Sequence, residues 1–146
     1  MKIKHLLSFF FLAFVLISSS CSKDNNTIAQ NQQNIKKLWK LDNYLINGTD
    51  MTSMVTVTAY TESFQDNGKY DRSFTDKNNN KITQNGAYEF ENANRLKISG
   101  VGSIEMSSHG TISSSYYDIV KLTETEFWYS FVNGNAKHEI RLSRKQ

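Results

Sequence analysis

Between Ile35 and the C-terminus, apolar and polar residues alternate at period two, β-branched and aromatic side chains are enriched, and turn-forming residues recur throughout. Period two places one side of each segment on a core and the other in water, the mark of a half-buried strand, and helical periodicity is nearly absent. The alternation predicts nine strands: Leu38–Ile46, Met54–Phe64, Lys69–Thr75, Ile82–Phe90, Arg95–Ser99, Ser103–Ile112, Tyr116–Leu122, Glu126–Val132 and Lys137–Ser143. Within them Ile82, Tyr88 and Phe90 share a face against Thr83, Asn85 and Glu89. Phe127, Tyr129 and Phe131 oppose Trp128, Ser130 and Val132, and His138, Ile140 and Leu142 oppose Lys137, Glu139 and Arg141.

The joints between these runs are short. Asp66-Asn67-Gly68 and Asn133-Gly134-Asn135 contain the Asn-Gly pair that accepts positive φ in tight hairpins, and Asn92-Ala93-Asn94 and Thr123-Glu124-Thr125 fit slightly longer loops. Sequential hairpins leave long free edges unless the sheet closes on itself. The expected fold is therefore all-β: a small antiparallel up-and-down β-barrel of eight or nine strands over residues 35–146, just wide enough for one small ligand. The chain has no proline, as strands that donate to both neighbours require. Ile28, Gln32, Ile35 and Trp39 are spaced for a turn or two of helix leading into the barrel.

The first twenty residues run from Met1-Lys2-Ile3-Lys4-His5 through an apolar stretch, Leu6 to Ile17, to Ser18-Ser19-Ser20 and then Cys21. This is the order of an export signal, and the apolar stretch falls short of the roughly 20 residues needed to span a bilayer. Cys21 is the single cysteine of the chain, and its setting resembles the lipobox of bacterial lipoproteins, in which that cysteine is acylated and becomes the mature N-terminus. The resemblance implies a signal peptide over residues 1–20, a lipid attachment at Cys21, and a domain held on the outer membrane, in the periplasm or at the surface. Residues 21–34 are polar and read as a lipidated N-terminus and flexible tether. Ser22-Lys23-Asp24 is similar to the short charged signals of surface-exposed Bacteroidota lipoproteins.

Removal of residues 1–20 leaves 126 of 146 residues, enough for one domain. It also removes Lys2 and Lys4, so 15 basic side chains face 14 acidic ones. That balance argues against nucleic acid and against a polybasic membrane patch.

Catalytic and metal motifs are absent on inspection. Asp76-Lys77-Asn78-Asn79-Asn80 opens like a calcium loop, but Lys81 stands where glycine is needed and Ala87 where a bidentate glutamate is needed. Gly100-Val101-Gly102 has Glu105 in place of a third glycine and no helix after it. His109 and His138 lack the second cysteine or neighbouring ligands of a zinc site, and no serine has a nucleophile-elbow context. The carboxylates Glu89, Glu105, Asp118 and Glu139 are scattered. The expectation is a non-enzymatic protein without metal or cofactor.

Three stretches carry a resemblance: Leu38-Trp39-Lys40-Leu41 through Tyr44-Leu45-Ile46-Asn47-Gly48, then Phe64-Gln65-Asp66-Asn67-Gly68-Lys69-Tyr70, then Tyr117 to Trp128 (Tyr-Asp-Ile-Val-Lys-Leu-Thr-Glu-Thr-Glu-Phe-Trp). Together they resemble the lipocalin-like domain lipoproteins of Bacteroidota, of the Flavobacteria type. The resemblance implies a barrel whose first-strand tryptophan, Trp39, closes one end with a late arginine, Arg141, and whose mouth takes a small hydrophobic ligand. Many aromatics support that reading, with apolar strand faces forming core and cavity together. A protein-interaction, envelope-assembly or inhibitor module is the alternative, and Trp128 and Val132, on the outward face, are the residues it would use.

Overall fold

The computed structural model describes residues 27–146; the segment read as an export signal, Cys21 and the first part of the segment read as a tether lie outside this range. The chain opens with helix α1 (Ile28–Ile35), within the segment read as tether. Thr27 caps it, its side chain accepting a hydrogen bond from the Gln30 amide at 3.2 Å. Eleven strands follow: β1 (Leu38–Ile46), β2 (Thr49–Asp50), β3 (Thr58–Phe64), β4 (Lys69–Thr75), β5 (Lys81–Asn92), β6 (Arg95–Ser99), β7 (Ile104–Ser107), β8 (Gly110–Ile112), β9 (Tyr116–Leu122), β10 (Glu126–Asn133) and β11 (Ala136–Arg144).

Eight of them, in the order β1-β3-β4-β5-β6-β9-β10-β11, pair antiparallel around a closed ring. Pairing of β11 with β1 from Trp39↔Arg144 to Ile46↔His138 completes it. Closure removes the edges that a meander of this length would otherwise expose. The short β2 is a ninth strand added at the end of β1.

Two expected strands are revised. Ser103–Ile112 is not one strand of the wall but a separate hairpin, β7-β8, whose turn is Ser108-His109. The polar Ser107-Ser108-His109-Gly110 stretch breaks the alternation, and a chain that turns there cannot continue a ladder. The second expected strand starts at Thr58 rather than Met54, because Thr52–Met54 forms a 3₁₀ turn.

The two ends of the barrel are closed differently. At one end α1 lies across the opening: Ile35 is fully buried, its carbonyl accepts the Trp39 indole N–H at 2.9 Å, and Asn31 donates to the Ala93 carbonyl at 2.6 Å. At the other end the β7-β8 hairpin folds inward and buries Ile104, Met106 and Ile112. It is attached to the wall by few hydrogen bonds, among them Thr56 N–H to the Met106 carbonyl (2.8 Å) and the Asn133 amide to the Thr111 carbonyl (3.2 Å).

Between the ends a chain of ring contacts fills the bore. Trp39 meets Phe127 (5.7 Å), Phe127 meets Tyr129 (5.1 Å), and Tyr129 meets Tyr117 (5.1 Å). The chain continues from Tyr117 to Phe131 (5.6 Å), from Phe131 to His138 (5.0 Å) and from His138 to Tyr44 (5.9 Å). Each residue is inward-facing on its strand; the Tyr117 contacts are edge-to-face, the two His138 contacts stacked and the two Phe127 contacts tilted, and all add ring attraction to burial.

Candidate functional site

The inward positions of β3 read Tyr60, Glu62, Phe64 and those of β4 read Tyr70, Arg72, Phe74. In both strands a charged residue stands between two aromatics at period two. The Gln65–Gly68 turn sets the register so that Glu62 and Arg72 are cross-strand partners. Both are buried, at 0% and 2% exposure.

Glu62 collects tyrosines. Its Oε1 accepts from the Tyr60 and Tyr129 hydroxyls, each at 2.5 Å, while its Oε2 and the Tyr70 hydroxyl, both buried, have no hydrogen-bond partner. Burial pushes the Glu62 carboxyl above the usual carboxylate range, against the pull of the Tyr129 and Tyr60 hydrogen bonds and of the Arg72 charge. Burial likewise pushes the Tyr60, Tyr70 and Tyr129 hydroxyls well above their ordinary value, so at neutral pH they are uncharged.

Arg72 is turned the other way. Its Nε and Nη2 donate to Gln84 Oε1 at 3.2 and 2.7 Å, and Nη2 also donates to the Gly102 carbonyl at 2.6 Å. All of these acceptors are neutral, and no ion pair among the described residues includes Arg72.

The Gly102 carbonyl reaches Arg72 because Gly86, inward-facing on β5, lets the chain after β6 cross it closely. A Cβ at Gly86 would stand 2.2 Å from the Ser99 carbonyl oxygen. Gly110 plays the same part for the hairpin: a Cβ there would lie 1.9 Å from the Tyr44 hydroxyl. That hydroxyl is paired with His138 Nδ1 at 2.7 Å, and burial lowers the His138 pKa.

Two clefts of about 360 Å³ flank α1, one lined by Asn31, Asn34 and Lys121 among others and one by Gln32, Lys36 and Tyr88 among others; further free volume lies in the wall and around the hairpin. A cleft of about 380 Å³ opens in the wall where β1 and β3 part after Lys40↔Thr61; Leu41, Val55, Val57 and Ala59 line it, Tyr60 forms part of its floor, and Lys40 and Lys145 stand at it. A second cavity of about 270 Å³ lies between the hairpin and the β4-β5 turn, lined by Val57, Phe74, Ile82, Gln84, Ser103 and Ile104 among others. A third, about 60 Å³, holds Arg72 and Tyr117 with Ser99, Gly102, Ser103 and Ser113–Ser115. The first two share Val57 and the last two share Ser103.

The two residues expected to close a barrel end are not brought together. Trp39 sits fully buried at the helix end, opposite Arg144 in register. Arg141 faces outward on β11, where its guanidinium lies 4.4 Å from the Trp128 ring and pairs with Glu139 at 2.7 Å. Lys121 covers the same ring at 4.6 Å. Trp128 thus has two cations against its ring, and Val132 on the same strand is 69% exposed. Asp76 closes its own loop by accepting from the Asn78 and Asn80 amides. No group of His, Cys, Asp and Glu suited to a metal ion occurs among the described residues.

Glu62 and Arg72 were not among the residues singled out in the sequence. The signal that finds them is a charge on the apolar parity of two strands joined by a tight turn.

At the level of sequence, no family model and no curated protein matches the chain. Solved structures do. A lipocalin-like protein from Bacteroides uniformis superposes with a TM-score of 0.52 at 12% identity, over 77% of this chain and 99% of that one. An uncharacterized protein from Bacteroides eggerthii gives a TM-score of 0.54 at 12% identity, over 77% of this chain and 100% of that one. The fold is lipocalin-like. Identity this low establishes the architecture and leaves the ligand to be argued from the site.

Proposed function

We propose that the protein is a non-enzymatic, membrane-anchored carrier: acylated at Cys21, held at the outer membrane, and binding a small hydrophobic or amphipathic ligand at the hairpin end of its barrel. The observation that carries this reading is the wall cleft of about 380 Å³ together with the cavity of about 270 Å³ beside β7, both lined in good part by apolar side chains, Val57 among them. A bore filled by aromatic rings excludes a ligand lying along the barrel axis. A hairpin attached by few hydrogen bonds leaves the mouth as the place where one enters. The lining combines apolar side chains with a few inward polar groups, the composition of small-molecule sites.

Two or three acyl chains, at about 0.8 kcal/mol per buried CH₂, hold such a domain firmly.

Titrating the full chain bearing Cys21→Ser with fatty acids, sterols and quinones tests the carrier reading. At least one class raises the melting temperature in proportion to log concentration; no shift with any of them rejects it. The same substitution moves the protein from the membrane to the soluble fraction of cells, and retention in the membrane rejects the anchor.

A further inference from the structure

Asn-Gly is a dipeptide with chemistry of its own. Because glycine has no side chain to shield it, its amide nitrogen can reach the carboxamide carbon of the preceding asparagine, one source of the thermal lability of asparagine. The chain has four such pairs: Asn47-Gly48, Asn67-Gly68, Asn85-Gly86 and Asn133-Gly134. The fold holds them differently.

Three are restrained. Asn47 Oδ1 accepts from the Lys137 amide N–H at 2.8 Å, and Asn133 Nδ2 donates to the Thr111 carbonyl at 3.2 Å. Asn85 lies inside the β4-β5 ladder opposite Asp71, and Gly86 after it is pressed so closely by the crossing chain that a Cβ would stand 2.2 Å from the Ser99 carbonyl oxygen. Asn67 is different: it is exposed in the turn between β3 and β4, and its side chain has no hydrogen-bond partner among the described residues.

Asn47 and Asn67 make a controlled comparison. Both are left-handed, with φ of 49° and 62°, and each is followed by a left-handed glycine, with φ of 82° and 73°. Backbone conformation therefore does not separate them, whereas the pinned carboxamide does. At ψ 23° the Gly68 nitrogen is turned away from the Asn67 side chain, so reaction passes through an opened turn. Exposed turns open locally at low free energy, and in this one nothing holds the carboxamide back once the backbone moves.

We propose that Asn67 is a site of spontaneous deamidation in the folded protein. The Gly68 amide nitrogen, on losing its proton, bonds to Asn67 Cγ; the Cγ–Nδ2 bond breaks and ammonia leaves with that proton, closing a succinimide ring. Water then opens the ring at either carbonyl, giving aspartate or isoaspartate. The sum is one water consumed and one ammonia released, with no change of oxidation state. The aspartate product adds a carboxylate beside Asp66, which pairs with Lys36 at the end of α1 at 2.8 Å. The isoaspartate product adds a carbon to the main chain of the turn that sets Glu62 opposite Arg72, and so loosens the β3-β4 hairpin.

The test incubates the full chain bearing Cys21→Ser in warm, mildly alkaline buffer, which favours loss of the amide proton. Digestion and mass spectrometry follow each asparagine, with fragment ions separating Asn47 from Asn67. Conversion at Asn67 is expected to be at least about fivefold faster than at Asn47 or Asn133, the factor imposed by one hydrogen bond of ordinary net strength that must break first. Isoaspartyl methyltransferase labels the same peptide. In denaturant, where no fold restrains them, all four convert at comparable rates. Asn67→Gln, whose longer side chain closes its ring slowly, removes the leading product and leaves the remaining three sites unchanged.

Equal rates at Asn47 and Asn67 in the folded protein overturn the proposal. So does an intact Asn67 in the folded protein at a time when the denatured chain has converted.

Discussion

The two ends of this barrel are closed by elements of opposite character. At the helix end α1 covers a mostly apolar interior: Ile35, Trp39, Phe64 and Phe127 pack together, the Trp39 indole N–H is satisfied by the Ile35 carbonyl, and the buried Asn31 donates to the Ala93 carbonyl while its Oδ1 has no partner. At the hairpin end the interior is polar and incompletely satisfied. It holds Glu62 with an unpartnered oxygen, Arg72 opposite it in the ladder and hydrogen-bonded to Gln84 and Gly102, and Tyr44 paired with His138 beneath Gly110. Each unsatisfied buried polar atom costs roughly 1–3 kcal/mol, and the bore holds two, Glu62 Oε2 and the Tyr70 hydroxyl, against Asn31 Oδ1 at the helix. One closure is a helix packed on aromatic rings, and the other is a hairpin over a more polar interior.

Experiments that remove one closure at a time sharpen that division. The largest effect is expected for Trp39→Ala, which deletes the biggest buried side chain of the helix end and leaves a cavity: about 3–5 kcal/mol lost in denaturant unfolding. Comparable binding per folded molecule before and after would confirm that this end does not serve the ligand.

Gly110→Ala comes next, because its Cβ would fall 1.9 Å from the Tyr44 hydroxyl. A loss of about 1–3 kcal/mol is expected, with faster amide exchange confined to β7-β8. Adding Tyr44→Phe recovers part of the loss in a double-mutant cycle, and exchange spreading to β1 and β11 would contradict an independent hairpin. Thr27→Ala, which removes the helix cap, costs about 1 kcal/mol or less and leaves hairpin exchange unchanged.

The smallest effect is a pH slope that belongs to the hairpin end alone. Burial lowers the His138 pKa from its ordinary 6.5, so the folded state binds fewer protons than the unfolded one. Its contribution is full above 6.5 and is lost as pH falls toward the lowered value. Burial raises Glu62 from 4.5, so its contribution runs the other way, falling as pH rises above 4.5 toward the raised value. Between the two ordinary values these slopes oppose. His138→Phe, which retains the stacking on Phe131, leaves stability that declines with rising pH, and Glu62→Gln leaves stability that increases with it. Unfolding midpoints from pH 4.5 to 6.5 distinguish the two.

Much of the wall was legible in the sequence. Strands at Lys69–Thr75, Arg95–Ser99 and Tyr116–Leu122 have the expected bounds, because a local alternation bounded by Asn-Gly turns and polar loops decides them without reference to the rest of the chain. The hairpin was not legible. Ile104, Met106 and Ile112 look like strand residues wherever they are placed, and only the neighbouring wall, already closed by β6 pairing with β9, leaves them no ladder to join. The pairing of Trp39 with Arg141 failed for a related reason. A bulge in β1 between Leu41 and Asn43 and the parity of β11 put Arg141 on the outer surface beside Trp128.

What the sequence by itself determined is the alternation, and with it a closed antiparallel barrel, since period two fixes which side of each strand is buried and a meander that long must hide its edges. What the tertiary structure alone decided is that the charge on β3 and the charge on β4 stand as ladder partners with no direct hydrogen bond between them, one turned to tyrosines and the other to Gln84 and the Gly102 carbonyl. Side-chain direction inside a closed bore depends on all eight strands at once, and no local pattern encodes it.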